Sequence, residues 1–323
     1  MMMISERTKN NSTIIAIYIL VSLILSGCDN GRDHLPNGLN PTAIATMENT
    51  PYFISNAPSR YALSERLENI DMTQLAEDSK KNDGEAKLIL GLIYLDMVTG
   101  IEEPVDKAYG LTLLQEAWQL GVVDAGHILF KVYFYGHGVR VNHPLALAYL
   151  EASAEKGYIR SQKNLAYAYR GNSQGPQPRG IVELDIEKAR YWFTKAAEQG
   201  DAESATQLAQ IYYKGLGVPK DDKVAFEWLK RAENMPFEGR MSHSGLAMCY
   251  EQGIGTEVDL VQAYKYYDLE DPAGAPDKRR LEAMMTPEQV QDAIRLSREW
   301  QEEHGVFVPS YYGLEYQPDG SFK

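Results

Sequence analysis

The chain has 323 residues, with 45 acidic against 32 basic side chains (formal charge −13), 44% hydrophobic and 10% aromatic residues, and two cysteines. That much apolar material excludes a disordered chain, and the negative charge argues against nucleic acid, whose phosphate backbone selects basic proteins. A pair of cysteines cannot build a disulfide scaffold, and ordinary proline and glycine usage removes collagenous and low-complexity readings.

At the N-terminus, Arg7 and Lys9 precede an apolar run from Ile14 to Leu25, broken only by Ser22. As a helix this run reaches about 18 Å, against a hydrocarbon core of roughly 30 Å, so it reads as a secretory signal core and not as a spanning helix. The next residues, Leu25-Ser26-Gly27-Cys28, resemble a bacterial lipobox. The resemblance implies a signal peptide over residues 1–27 and lipidation of Cys28, which would anchor the body on the periplasmic side of the envelope. Several acyl chains are needed for firm anchoring. Asp29 is similar to the residue that retains enterobacterial lipoproteins on the inner membrane. Residues 28–59 show no helical periodicity and read as a flexible tether. Residues 60–83 follow as a capping helix, with Tyr61, Leu63, Leu67 and Ile70 ahead of Leu75-Ala76.

From 84 to 271 the chain repeats itself. A Leu-x-x-x-Tyr core recurs five times, at Leu90–Tyr94, Leu129–Tyr133, Leu165–Tyr169, Leu208–Tyr212 and Leu246–Tyr250. Sixteen residues after the tyrosine stand Tyr149, Trp228 and Tyr266 in copies two, four and five, while insertions of three and seven residues displace Leu113 and Trp192 in copies one and three. The period is 36 residues, with length changes confined to turns.

Each unit reads as helix, turn, cap, helix. In the first helix, apolar or small residues at offsets 0, 1, 3 and 4 (Leu208, Ala209, Ile211, Tyr212) share one face. Paired glycines follow in three copies (Gly136 and Gly138, Gly215 and Gly217, Gly253 and Gly255), suited to ending a helix in the left-handed conformation. Asp106, Asn142, Asp185, Asp221 and Asp259 are then N-caps of the second helices. Gly110, Ala146, Ala189, Ala225 and Ala263, four positions on, would let helices approach closely.

Two stretches, Leu208-Ala209-Gln210-Ile211-Tyr212-Tyr213-Lys214-Gly215-Leu216-Gly217-Val218 and Lys188 to Gly200 with its Tyr191-Trp192-Phe193 centre, resemble the Sel-one-like repeat, a relative of the tetratricopeptide repeat. The resemblance covers about residues 84–270; copy one departs most, having Leu113 at the aromatic position and no paired glycines. It implies an all-α fold, a right-handed α-solenoid of about five helix-turn-helix repeats with capping helices. It also implies a binder of other proteins, usually along a concave face, without catalysis of its own. Residues 272–323 then form a C-terminal capping helix and an aromatic tail. Thr286-Pro287-Glu288-Gln289 is a helix start, and Val290, Ala293, Ile294, Ser297 and Trp300 form one stripe along the helix that follows. The tail holds Phe307, Tyr311, Tyr312 and Tyr316, which either pack on the last repeat or meet a partner.

The sequence shows no catalytic arrangement. It has no His-Glu-x-x-His helix, no Cys-x-x-Cys pair and no Gly-x-Ser-x-Gly elbow, so no enzyme, cofactor or metal is expected. His137 and His143 read as a surface pair, and Cys249 occupies a core slot as a small apolar residue. Binding leaves a clearer trace. Positions six before, two before and one after the tyrosine vary freely between copies, whereas packing would force them to agree. They are Leu88, Leu92 and Leu95; His127, Lys131 and Phe134; Lys163, Tyr167 and Arg170; Thr206, Gln210 and Tyr213; Ser244, Met248 and Glu251. Stacked units would line them up as a groove, with Lys131, Phe134, Tyr167, Arg170, Gln210, Tyr213, Met248 and Glu251 as contact residues. The insertion in copy three, with Gln177 and Arg179, is a second candidate. The expected protein is a monomeric, lipid-anchored protein binder. Its partner would be an antibacterial toxin, since Sel-one-like lipoproteins serve as immunity proteins against type VI secreted effectors, including phospholipases. The alternative is a resident envelope or signalling complex that it scaffolds.

Overall fold

The computed structural model describes residues 71–98, 105–171, 180–235, 243–270 and 272–314, all within the compact unit spanning residues 54–323. Among them are thirteen α-helices and no strand. Five helix pairs form the repeats: α2 (Gly84–Tyr94) with α3 (Lys107–Gln119), α4 (Val123–Tyr135) with α5 (His143–Glu155), and α6 (Ile159–Arg170) with α7 (Ile186–Glu198). The fourth and fifth are α8 (Ala202–Lys214) with α9 (Asp222–Ala232) and α10 (Ser244–Gln252) with α11 (Leu260–Asp268). Helix α1 (Met72–Lys80) packs on α2, while α12 (Ala275–Glu282) and α13 (Pro287–His304) pack on α11. The two helices of each repeat contact each other, and the second helix then contacts the first helix of the next repeat, which is the connectivity of a solenoid.

All five second helices start at the residue with the capping side chain. Asp106, Asn142, Asp185 and Asp221 accept from the amides of Tyr109, Leu145, Lys188 and Val224, and Asp259 accepts from those of Val261 and Gln262. The repeating tyrosine fixes where that cap sits. The N-cap amides of Asn142, Asp185, Asp221 and Asp259 donate to the carbonyls of Tyr133, Tyr169, Tyr212 and Tyr250 at 2.8–3.0 Å. The tyrosine rings work on the same joint. Tyr133 stacks on Tyr149 and Tyr250 on Tyr266, each with centroids 5.8 Å apart. In copy one, where Leu113 stands at the aromatic position, Tyr94 instead meets Tyr109 edge-on.

The glycine pairs split their work. Gly136, Gly215 and Gly253 are left-handed C-caps of α4, α8 and α10. Gly138, Gly217 and Gly255 are also left-handed, and there the neighbouring second helix presses on the turn: a Cβ on Gly255 would stand 2.1 Å from the Asp222 carbonyl oxygen. The small residue inside each second helix is buried, and a Cβ on Gly110 would come 2.9 Å from the Gly91 carbonyl oxygen. The leucines that open the cores, Leu90, Leu129, Leu165, Leu208 and Leu246, are all at most 3% exposed. At the C-terminal end, Thr286 and Gln289 form a reciprocal capping box on α13, which covers the last repeat with Ala293, Ile294 and Trp300. The signal segment, Cys28 and Asp29, the tether, and residues 60–70 of the expected capping helix lie outside the described residues, as does Tyr316.

These joints predict a graded response in urea unfolding. Asp221→Ala removes one cap and should cost about 1 kcal/mol. Gly253→Ala adds the left-handed penalty of about 1–2 kcal/mol and a close contact with the Val258 side chain. Gly255→Ala meets backbone as well, and its midpoint should fall furthest of the three.

Candidate protein-binding groove

The variable stripe is three different environments in chain order. In copy one it is core: Leu88, Leu92 and Leu95 are 0–4% exposed, against the expectation that this face stays open, because α1 packs on α2 there and Leu95 reaches Gly110 of α3. In copy two His127 is also buried. Its Nδ1 lies 3.0 Å from Ser161 Oγ, which donates to Ser153 Oγ, and its ring packs against Phe130 and Tyr158. Phe134 is partly buried and stacks on His143, while His137 tilts against Tyr135, so the two histidines attach to different rings. Lys131 is partly buried on the same helix.

In copy three the stripe is bonded across to the next repeat. Lys163 Nζ bridges Asp201 and Glu203 at 3.0 and 2.9 Å, and the Tyr167 hydroxyl donates to Glu203. Arg170 donates to the amide oxygens of Gln207 and, at 3.1 Å, Gln210. Tyr167 is therefore buried against Phe193 and not a free contact residue. Burial outweighs the phenol of Tyr167 at Arg170 and lowers its pKa from the ordinary guanidinium value. These partners lie 36–40 residues away, one repeat on, because stacking sets first helices side by side.

At the junction of copies four and five the stripe opens into a cleft of about 260 Å³. From α8 it takes Thr206, Ala209, Gln210 and Tyr213, with Lys214 at the end of that helix. From α10 it takes Ser244, Gly245, Met248 and Cys249, and Ala225 and Leu229 of α9 close its base. Thr206 and Gln210 here are shorter than Lys163 and Tyr167, which hold the same repeat positions at the previous junction. Ser244, Gly245 and Met248 also border a second, more open and polar hollow, with Glu251, Tyr267, Asp277 and Arg280. In it Arg280 holds both oxygens of Glu251 and one of Asp277, and the Tyr267 hydroxyl donates to Glu251 at 2.9 Å. The arginine keeps the Glu251 carboxyl below its ordinary range.

Of the contact residues expected from the sequence, Gln210, Tyr213, Met248 and Glu251 thus share one continuous groove. Arg170 touches it through Gln210. Lys131 and Phe134 sit two repeats earlier, and Gln177 and Arg179 lie outside the described residues. Sequence reasoning did not find Leu229, Ile254, Tyr267 or Arg280, since a residue's facing across repeats leaves no mark in its own repeat. Cys249 is 2% exposed, and burial pushes its thiol up to about 11, as suits a core residue without nucleophilic character. Among the described residues no group of His, Cys, Asp and Glu is placed to hold a metal ion.

With this geometry in hand, comparison identifies the repeats. The Sel1 repeat model matches residues 124–158, 159–201, 202–235 and 241–269, so copies two to five are Sel1 repeats, and copy one, with its leucine in place of the aromatic, lies outside the match. An uncharacterised protein of Neisseria meningitidis serogroup B is 27% identical over 158 residues, 49% of this chain and 29% of that protein. The chitin synthase regulator SKT5 of Saccharomyces cerevisiae is 30% identical over 135 residues, 41% of this chain and 18% of that protein. The chain therefore spans less than a third of the length of these relatives. Among solved structures, a protective antigen of uropathogenic Escherichia coli displaying an SLR fold superposes with a TM-score of 0.55 at 24% identity, over 75% of this chain and 50% of that one.

Two measurements check the buried chemistry. Burial pushes the Asp124 carboxyl up to about 6, against hydrogen bonds from its own amide and from Tyr158. A raised carboxylate contributes stability that is complete below the unfolded value near 4 and is lost as pH rises through 6. Asp124→Asn should therefore gain about 2–3 kcal/mol at pH 7–8 relative to its standing at pH 4. His127, held by burial well below its ordinary value, has the opposite sign, its contribution failing as pH drops below about 6.5. The pH profile of Asp124→Asn minus that of the parent isolates the carboxyl. In a Cys28→Ser background, Cys249 should resist a thiol reagent at pH 8 until the fold is unfolded.

Proposed function

We propose that this Sel1-repeat chain is a non-catalytic protein-binding module, held on the periplasmic side of the envelope by lipid on Cys28, whose groove over repeats four and five covers part of a partner protein. The observation that carries this reading is the cleft between α8 and α10, continuous with the hollow at Glu251 and Arg280. Gln210, Tyr213 and Met248 border it without a filling side chain from the next repeat. An apolar depression with a polar rim is what anchors a partner side chain, and tyrosine and methionine are enriched at such centres.

In its more specific form the partner is an antibacterial toxin delivered into the periplasm, and the chain neutralises it by covering its active site. The lipobox-like Leu25-Ser26-Gly27-Cys28 favours this form, because an anchored inhibitor would meet such a toxin at the membrane. The second reading, an adaptor in a resident envelope assembly, is favoured by likeness to a relative named as a chitin synthase regulator.

Two experiments test the proposal. Labelled palmitate should be incorporated into the parent chain and lost in Cys28→Ser; incorporation that persists removes the anchor. Capture from envelope extract should bring down one protein whose yield falls about tenfold with Tyr213→Ala and Met248→Ala combined, while the thermal midpoint moves only slightly. A secreted toxin among the captured proteins, and cells protected from it by the chain, selects immunity; a resident envelope protein selects the adaptor. Unchanged capture by the double variant overturns the groove.

A further inference from the structure

The cations along the groove are of two kinds. Lys163 pairs with Asp201 and Glu203, and Arg280 with Glu251 and Asp277. Among the described residues, Arg170 and Lys214 pair with no carboxylate. Arg170 is half-buried and donates to the amide oxygens of Gln207 and Gln210. Lys214 is exposed on the cleft margin at the end of α8. In a chain with 45 acidic side chains against 32 basic ones, a partly desolvated guanidinium without a carboxylate is conspicuous, because desolvation is normally offset by a counter-charge. Both cations stand on the α6 and α8 side of the apolar cleft of about 260 Å³, which is walled by Leu229, Met248, Ile254 and the Tyr213 ring. An apolar cavity of about 150 Å³ already takes a benzene ring, so this one has room for a single large side chain.

We propose that the groove binds an acidic protein segment carrying one bulky apolar side chain: the apolar group fills the cleft, and Asp or Glu side chains beside it reach Lys214 and Arg170 on the α8 side. The inference rests on the groove reading above and adds the chemistry of the occupant. It runs against what net charge alone would select. A body of charge −13 repels acidic segments at long range, but at physiological ionic strength that field is screened beyond about 8 Å, and inside that distance the local cations decide. The long-range repulsion then discourages acidic chains that lack the apolar anchor, so recognition requires both features together.

Calorimetric titration of the full chain with three blocked pentapeptides tests this: acetyl-Glu-Asp-Phe-Asp-Glu-amide, the same with serine at the centre, and acetyl-Lys-Arg-Phe-Arg-Lys-amide. The first should bind, and the other two should bind at least about tenfold more weakly. Lys214→Glu should weaken the first peptide about tenfold with no change in thermal midpoint, since that side chain is exposed and makes no ion pair among the described residues. Arg170→Met should weaken it similarly; if that variant loosens the repeat junction, the lysine variant decides. Preference for the basic peptide overturns the inference while leaving an apolar groove in place. Equal binding of the serine peptide, indifference to Lys214→Glu, or absence of binding by all three overturns it as well. The groove itself stands or falls separately, on capture by the Tyr213 and Met248 variant.

Discussion

In copies two to five, the bond from the second helix's N-cap amide to the carbonyl of the repeating tyrosine ties the two helices of a repeat at one point, and the rest of the architecture is arranged around it. The carbonyl belongs to the last turn of the first helix, where four acceptors lack partners inside the helix. The amide belongs to the residue whose side chain caps the second helix. One turn therefore satisfies orphan groups of both helices at once. That requirement explains why the turn needs a left-handed glycine and a capping aspartate or asparagine at fixed distances from the tyrosine, and why insertions fall where the bond is not disturbed.

Between repeats the demands are looser, and the chain meets each junction differently. A buried histidine and two serines join copies two and three, a lysine, an arginine and a tyrosine join copies three and four, and copies four and five leave a cleft. The polar junction at Lys163 adds little net stability by Coulomb attraction, because desolvating Asp201, which is fully buried, offsets much of the gain. Its consequence is register. Lys163, Tyr167 and Arg170 reach their partners only if α6 and α8 stack one repeat apart without sliding. The open junction next to it is then held between a rigid neighbour and the C-terminal cap, where Lys278 and Ser297 both bind Asp268.

The repeat, the five N-caps and the glycine turns were legible in the sequence because each obeys a local rule: a side chain must cap the amides two or three residues on, and only glycine tolerates the left-handed turn at low cost. The groove was legible in part. Variation at Gln210, Tyr213, Met248 and Glu251 falls on residues that border the cleft or the adjoining hollow. The same variation misled at Leu88, Leu92 and His127, which differ from their counterparts because each packs against a unique neighbour, the α1 cap in one case and Ser161 with Tyr158 in another. Variation between copies thus reports that a position is not set by the repeat, and exposure is only one reason for that.

The placement of Arg170 follows from the same distinction. A repeat that dictated this position would have paired the guanidinium, as the terminal cap pairs Arg280 with Glu251 and Asp277. Instead the arginine is held by two amide oxygens, which orient it without neutralising it, and burial lowers its proton affinity with no carboxylate among the described residues to restore it. Amide oxygens impose little charge cost on exchanging partners, whereas breaking an ion pair leaves a bare carboxylate behind. A guanidinium positioned by glutamines can accept an incoming carboxylate without displacing another, and Gln210 stands between it and the cleft.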